Sequence, residues 1–370
     1  MPNKTTEIRL IPMFCIILLA VGLMDHVIVL PPLITSAKRD AWISVLAAVI
    51  PYLIWIAILY YVMKWTNQKA ILPWLKKRYG AVTSWCLRLF FICYLFLIGL
   101  VTVKETVNWT HGSYLPRTPD LILAITLVLL CGFAAWGGLR AIAIVSGMLL
   151  PFVLLFGDFV MSANLPRKNY VLLTPILEHG LRPVLEGCIY VGGGLTELFI
   201  LILLQDRLKT KVKYWSLSLL GIFLVILILG PVTGALAEFG PFEASELRYP
   251  AFEEWRLVKL GRYIQNVDFL SIYQWLSGAF ARISIALLLM MELITGNTKD
   301  KPSKHGVIWL MVFGVALIAI VALPISDAQF LAFLKNMYLP FSLYASTGVL
   351  LLLFTMVGIH TMRTRRRTNG

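Results

Sequence analysis

The sequence predicts an all-α integral membrane protein with about ten transmembrane helices. Of the 370 residues, 59% are apolar and only 14% are charged, and the apolar residues fall into ten long runs. A water-soluble domain carries about 25% charged residues, because its surface must stay hydrated. The composition therefore excludes large soluble domains, coiled coils and long disordered tails. It predicts a single transmembrane domain over residues 1–370.

The ten apolar runs are the predicted membrane spans. A helix needs roughly 20 mostly apolar residues to cross the hydrocarbon core of a bilayer. The runs cover residues 9–34, 41–63, 81–110, 119–136, 140–163, 183–204, 213–237, 267–293, 305–324 and 334–359. The connecting segments hold 19 basic residues on the side of the termini and 11 on the other side. This bias predicts that both termini, including a basic tail at 360–370, lie in the cytoplasm.

The longest connection on the predicted outer side covers residues 238–266. Within it, Phe252, Trp255 and Val258 recur at helical spacing, so residues 252–260 are predicted to form a short amphipathic helix. Two interpretations of this helix stay open at this point. It caps a vestibule, or it lies solvated at the membrane interface.

The first and sixth spans are predicted to be interrupted. The first apolar run contains Gly22, Asp25 and His26, and the sixth contains Gly192, Gly193 and Gly194. Each glycine in a helix costs about 1 kcal/mol relative to alanine. Ten spans divide into two halves of five, residues 9–163 and 183–359, in which these two spans correspond. This pattern predicts two inverted repeats whose broken helices meet at the midplane. Alternatively, the glycines serve close packing between helices.

Ionisable residues within the spans are candidate functional groups, because they are costly to place in a bilayer. Asp25 and Glu197 lie near the predicted interruptions. Each carboxylate pairs with a base, binds the amino group of a substrate or holds a proton. The predicted ligand site consists of Gly22, Leu23, Met24, Asp25, Gly192, Gly193, Gly194, Thr196 and Glu197. Three further residues, His26, Asp268 and Trp275, are expected to have structural or gating roles.

Other ionisable residues receive weaker assignments. Asp158, Glu292, Arg88, Lys104, Glu105 and Arg282 are weaker candidates, because several of them lie near span ends, where a long side chain can reach the interface. Asp268 begins the eighth span, and it is expected to dock the outer loop. The chain has no nucleotide-binding loop, no catalytic triad and no paired cysteine spacing among its five cysteines. The sequence therefore predicts neither an enzyme nor a metal, cofactor or nucleic-acid site.

Four segments together carry a family resemblance. They are residues 28–31 with the Asp-Ala-Trp-Ile-Ser run at 40–44, the Pro- and Gly-containing residues 174–187, the glycine-rich sixth span with Glu197, and residues 263–269 followed by Trp275. This pattern resembles the spore germination permeases, the B-type membrane subunits of nutrient germinant receptors. That family is related to the amino acid–polyamine–organocation transporters.

The resemblance implies a ten-helix, leucine-transporter-like fold in the spore inner membrane. It also implies a receptor that binds a small nutrient, often an amino acid, and works with an A-type membrane subunit and a C-type lipoprotein. Two other functions stay open from the residues alone: a proton-coupled amino acid transporter, and a membrane scaffold without a ligand. The predicted interruptions count against the scaffold, since broken helices in membrane proteins line binding sites.

Overall fold

The computed structural model describes residues 7–259, 261, 266–296 and 303–368, with side chains as far as Met362. Within these ranges the chain is helical, and its one β-type pairing is an isolated bridge between Ile8 and Leu208. The all-α prediction is therefore confirmed. Some residues on which the predictions rest lie outside the described part. They are residue 260 of the predicted amphipathic helix, residues 263–265 of the family resemblance, the counted basic residues Lys4, Arg262, Lys299 and Lys301, and the side chains of the basic tail from 363 onward.

Fourteen α-helices form in the described residues. They are α1 Leu10–Leu23, α2 Leu30–Ala37, α3 Ala41–Trp65, α4 Ile71–Ser113, α5 Asp120–Trp136, α6 Gly138–Ala163, α7 Leu181–Leu195, α8 Leu201–Leu204, α9 Tyr214–Glu246, α10 Pro250–Leu257, α11 Leu270–Thr295, α12 Lys304–Val321, α13 Asp327–Phe333 and α14 Leu339–Thr368.

The helices reproduce the ten predicted spans. In the described residues, eight continuous helical segments are long and apolar enough to cross a membrane. The first of them, Leu10–Trp65, has 56 residues, more than two crossings of about 20 residues require, and its helix is interrupted at Lys38, where φ is 48°. A shorter apolar helix, α5, supplies the tenth segment. The inverted repeats and the cytoplasmic placement of the termini stay predictions.

The first predicted span, which holds α1 and α2 and is called the first segment, and the sixth, which holds α7 and α8 and is called the sixth segment, both depart from α-helical geometry, as predicted, but not at the glycines. The first segment is π-helical over Met24–Ile28, between α1 and α2. The sixth is a 3₁₀-helix over Thr196–Ile200, between α7 and α8. Gly22 lies inside α1, and the glycine triplet lies inside α7. The prediction that the backbone opens at these glycines is therefore wrong.

The glycine triplet instead allows α7 to pack closely against its neighbours. A Cβ atom on Gly193 would lie 2.5 Å from the carbonyl oxygen of Leu339 in α14. A Cβ atom on Gly194 would lie 2.3 Å from Oδ1 of Asp25. Real Cβ atoms essentially never lie so close to another heavy atom, so a larger residue at either position would force its neighbour to shift. The close-packing interpretation of the triplet is the correct one.

The two ends of the helical bundle are marked by different contacts. At the terminal end, the backbone N–H of Ile8 donates to the carbonyl of Arg207 over 2.8 Å, and Tyr79 donates to the carbonyl of Met356 in α14. At the opposite end lies α10. Its Phe252 and Trp255 are 7% and 2% exposed, so its apolar face packs against protein. This burial excludes the solvated interfacial helix considered above.

Candidate functional site

The centre of the bundle contains a buried ion pair between Glu197 and Arg282. The two residues are 0% and 1% exposed. Both terminal nitrogens of Arg282 donate to the Glu197 carboxylate, and the Nη2–Oε1 distance is 2.7 Å. Tyr338 donates its hydroxyl to the same Oε1 over 2.7 Å. The carboxylate of Glu197 is therefore neutralised and holds three hydrogen bonds.

Arg282 also binds the first segment where its geometry changes. The N–H of Met24 bonds to the carbonyl of Val21 rather than to that of Ala20, its α-helical partner. Arg282 donates to the carbonyl of Ala20 over 3.2 Å, and its Nη2 lies 3.6 Å from the sulfur of Met24. The irregular stretch thus exposes a carbonyl that the guanidinium satisfies.

Asp25 lies beside this pair but takes no part in its hydrogen bonds. Its side chain is 0% exposed, and neither carboxylate oxygen has a hydrogen-bond partner among the described residues. The buried hydroxyl of Tyr52 likewise has no partner there. An ionised side chain at mid-membrane depth costs at least about 2.5 kcal/mol when nothing compensates it. With both acids ionised, the two carboxylates and one guanidinium would carry a net charge of −1, so Asp25 requires either a proton or a cation.

The structure divides the predicted ligand site into two groups. Met24, Asp25, Gly193, Gly194, Thr196 and Glu197 are buried where the first and sixth segments meet, and Gly192 is half-buried beside them. Gly22, Leu23, His26 and Trp275 line a separate cavity of about 550 Å³. The ring Nδ1 of His26 lies 3.1 Å from the carbonyl oxygen of Leu227. The roles assigned to these residues stay predictions.

The cavity is bounded by the first segment, α6, α9, α10 and α11. At its α10 end, Trp275 stacks on Trp109 with ring centroids 4.1 Å apart. Asp268 lies at the start of α11, where its carbonyl accepts a 2.8 Å hydrogen bond from the Tyr114 hydroxyl. The same carbonyl accepts one from Ser271 over 2.6 Å. The docking role expected for Asp268 stays a prediction.

The sequence left open which base pairs with Glu197, and the structure identifies it as Arg282. Arg282 lies buried in the middle of α11, so it is not one of the side chains that reach the interface. Lys104 is also buried, and its Nζ lies 3.4 Å from the carbonyl oxygen of Val321. A lone arginine near the centre of one span and a lone acid near the centre of another were the available signal. To predict that these two residues pair, one must know which faces of the two helices meet.

Two further charge clusters lie at the α10 end. Arg248 makes two hydrogen bonds to Glu105 in α4, of 2.9 and 2.7 Å, and pairs with Asp327 in α13. Lys168 lies 3.4 Å from Glu238 and 3.8 Å from Glu254 of α10. Burial and the neighbouring Glu238 raise the pKa of Glu254 well above its usual range, while Lys168 opposes the shift. These clusters attach α10 and α13 to the spans.

The profile of the family described as "Spore germination protein" matches residues 7–330. The chain belongs to this family. Spore germination protein XB of Bacillus anthracis is 41% identical over 336 residues, which are 91% of this chain and 92% of that protein. Putative spore germination protein YfkT of Bacillus subtilis is 27% identical over 74% of each chain. GerQB of Bacillus cereus is 22% identical over 68% of this chain and 70% of its own length.

The family match confirms the resemblance predicted from the sequence, and the structure shows what its segments do in this spore germination protein. Oδ1 of Asp40 accepts the N–H of Leu177 over 2.8 Å, and Arg39 pairs with Glu178 over 2.7 Å. A Cβ atom on Gly187 would lie 2.3 Å from the hydroxyl oxygen of Ser44. The segments 40–44 and 174–187 therefore pack on one another and fix the entry to α7.

Proposed function

We propose that this chain is the membrane subunit of a nutrient germinant receptor in the spore inner membrane. In this proposal it binds a small nutrient, such as an amino acid, between the first and sixth segments and triggers germination together with A-type and C-type subunits. Membership of the spore germination family supports the germination role. The observation that carries the ligand assignment is the buried carboxylate of Asp25, which has no hydrogen-bond partner in the described residues.

The charge distribution makes Asp25 the acceptor for the ammonium group of the nutrient. Glu197 already accepts three hydrogen bonds from Arg282 and Tyr338. Both oxygens of Asp25 accept none from the described residues. An ammonium group brings three donors and one positive charge, which together balance the two carboxylates against Arg282. The sequence assigned the ligand site to both acids. In this proposal Asp25 binds the ligand, and Glu197 stabilises the packing around it through Arg282 and Tyr338.

Ligand entry at Asp25 requires a change in helix packing. The Asp25 side chain is 0% exposed, and its Oδ1 packs against Gly194 of α7. A nutrient can reach Asp25 only if this packing changes, and in this proposal α7 separates from the first segment. Binding would then favour the separated arrangement over the packed one, because a ligand shifts an equilibrium toward the state that it binds better. This coupling gives the proposed receptor a way to report the nutrient to its partner subunits.

The test is Asp25→Asn, with Asp120→Asn as the matched control. Asp120 lies at the start of α5, and its side chain is 42% exposed. Loss of a charge-assisted hydrogen bond costs about 1.5–3 kcal/mol, which raises the half-maximal nutrient concentration by a factor of about 10–150. The measurement is the fall in optical density of spores against amino acid concentration, with membrane abundance followed by immunoblot.

A wild-type concentration dependence in Asp25→Asn spores would contradict the ligand assignment. Uptake of the labelled amino acid by vesicles that contain the chain separates the receptor from the proton-coupled transporter. The receptor proposal requires no accumulation above that in empty vesicles. Accumulation that depends on a proton gradient would instead favour the transporter.

A further inference from the structure

The 550 Å³ cavity is a second candidate site, and it lies on another face of the first segment from Asp25. Gly22, Leu23, His26 and Val27 contribute to its wall, whereas Asp25 does not. The remaining wall comes mainly from apolar side chains of α6, α9, α10 and α11. An occupant of this cavity would therefore contact the π-helical stretch without touching the proposed nutrient site.

Apart from the exposed carboxylate of Asp158, the polar groups on the wall are largely satisfied by the protein itself. Gln274 donates to the carbonyl of Val153 over 2.9 Å and accepts from Trp255 over 2.9 Å. Trp275 donates to Thr106 over 3.3 Å, and Ser271 donates to the carbonyl of Asp268. A zwitterionic ligand would gain few new hydrogen bonds here and would lose those that it makes with water. The wall chemistry favours an apolar ligand.

The outer faces of α6 and α9, beside the cavity, carry exposed apolar side chains. Phe152 and Leu155 of α6 are 55% and 60% exposed, and Ile222 and Ile226 of α9 are 41% and 54% exposed. Ile226 also belongs to the cavity wall. On helices that cross a membrane, such side chains contact lipid tails. At the α10 end, Phe252 and Trp255 form part of the wall.

We propose that this cavity binds one acyl chain of a membrane lipid. The chain enters between α6 and α9 and reaches Gly22 and Leu23 of the first segment. The apolar wall, the largely satisfied polar groups and the exposed apolar faces of α6 and α9 support this occupant. An acyl chain here packs against the segment that carries Asp25, so lipid composition adjusts how readily that segment moves. The proposal concerns lipid binding and does not depend on the nutrient site.

The experiment uses the full chain in phosphatidylglycerol vesicles that contain a trace of the same lipid with a diazirine in one acyl chain. After irradiation, mass spectrometry of peptides locates the crosslinks. We expect labels on the first segment at Gly22 to Val27 as well as on the exposed faces of α6 and α9. Labels on the exposed faces without any on the first segment would overturn the proposal.

A cavity-filling variant makes the test specific. A Cβ atom on Gly230 would meet only Met161 at 4.0 Å, so Gly230→Phe places a ring in the cavity without a backbone clash. Gly230→Phe should reduce labelling of the first segment at least tenfold. If the phenylalanine impairs folding, the smaller Gly230→Leu variant replaces it in the same test. Gly132→Phe is the control, because Gly132 in α5 has open space around it and lies outside the wall.

Equal labelling of the first segment in the wild type and both Gly230 variants would refute an acyl chain in the cavity. Competition provides a second check. Millimolar leucine that removes the label would show that the cavity takes a soluble apolar nutrient rather than a lipid, and the proposal would fail. Unchanged labelling in leucine supports it.

Discussion

The central ion pair allows a quantitative test of what holds the first and sixth segments together. Glu197→Gln keeps the size of the side chain but removes its charge, and it leaves the buried guanidinium of Arg282 without its carboxylate. Removing one partner of a buried ion pair costs about 3–5 kcal/mol. Both partners are at most 1% exposed, so solvent screening does not reduce this cost.

The reverse change should be more damaging, because of Asp25. Arg282→Met leaves Glu197 and Asp25 in the same interior with no positive charge, whereas Glu197→Gln leaves one acid and one base. The double variant Glu197→Leu/Arg282→Met removes both charges of the pair. Replacing a buried pair by apolar residues is often neutral or stabilising by about 1–4 kcal/mol. We therefore expect Arg282→Met to be the least stable, Glu197→Gln intermediate and the double variant nearest to wild type.

The assay is unfolding of the detergent-solubilised full chain by added SDS, followed through the fluorescence of its 11 tryptophans. Arg182→Met is the matched control. Arg182 forms a 3.0 Å pair with Glu186 on α7, but its side chain is 90% exposed. Exposed pairs contribute at most about 1 kcal/mol. An unfolding midpoint for Glu197→Gln equal to that of the control, or Glu197→Gln less stable than Arg282→Met, would refute the charge argument.

Three further outcomes are expected. The pKa of Glu254 is raised by burial above its ordinary value of about 4.3, so the protonated form stabilises the fold. The melting temperature should fall as pH rises from about 4.3 through the raised pKa, and Glu254→Gln should reduce that fall. Gly193→Ala should lower the melting temperature because its Cβ would lie 2.5 Å from a carbonyl oxygen, whereas Gly112→Ala, which meets nothing within 4 Å, should not. Asp268→Asn should lower abundance in immunoblots more than it shifts the nutrient concentration dependence, since the Asp268 carboxylate accepts a 3.4 Å hydrogen bond from Tyr114 that helps to dock this end of α11.

The sequence alone determined the class of the protein and the number of its spans. A segment that crosses hydrocarbon must satisfy its own backbone hydrogen bonds and present apolar side chains, so spans are visible as long apolar runs. The same runs located the irregular stretches of the first and sixth segments to within a few residues. Pro31 and Pro32 fall in the first turn of α2, where a missing N–H is tolerated.

Only the tertiary structure decided which side chains meet. A span that is apolar on every face carries no signal for which face points inward, so helix phase cannot be deduced from its residues. The pairing of Glu197 with Arg282, 85 positions apart, depends on that phase. The same holds for the contact of Gly194 with Asp25, which turned a predicted backbone opening into close packing. Packing between helices, rather than local sequence, therefore neutralised Glu197 and left Asp25 without a partner in the described interior.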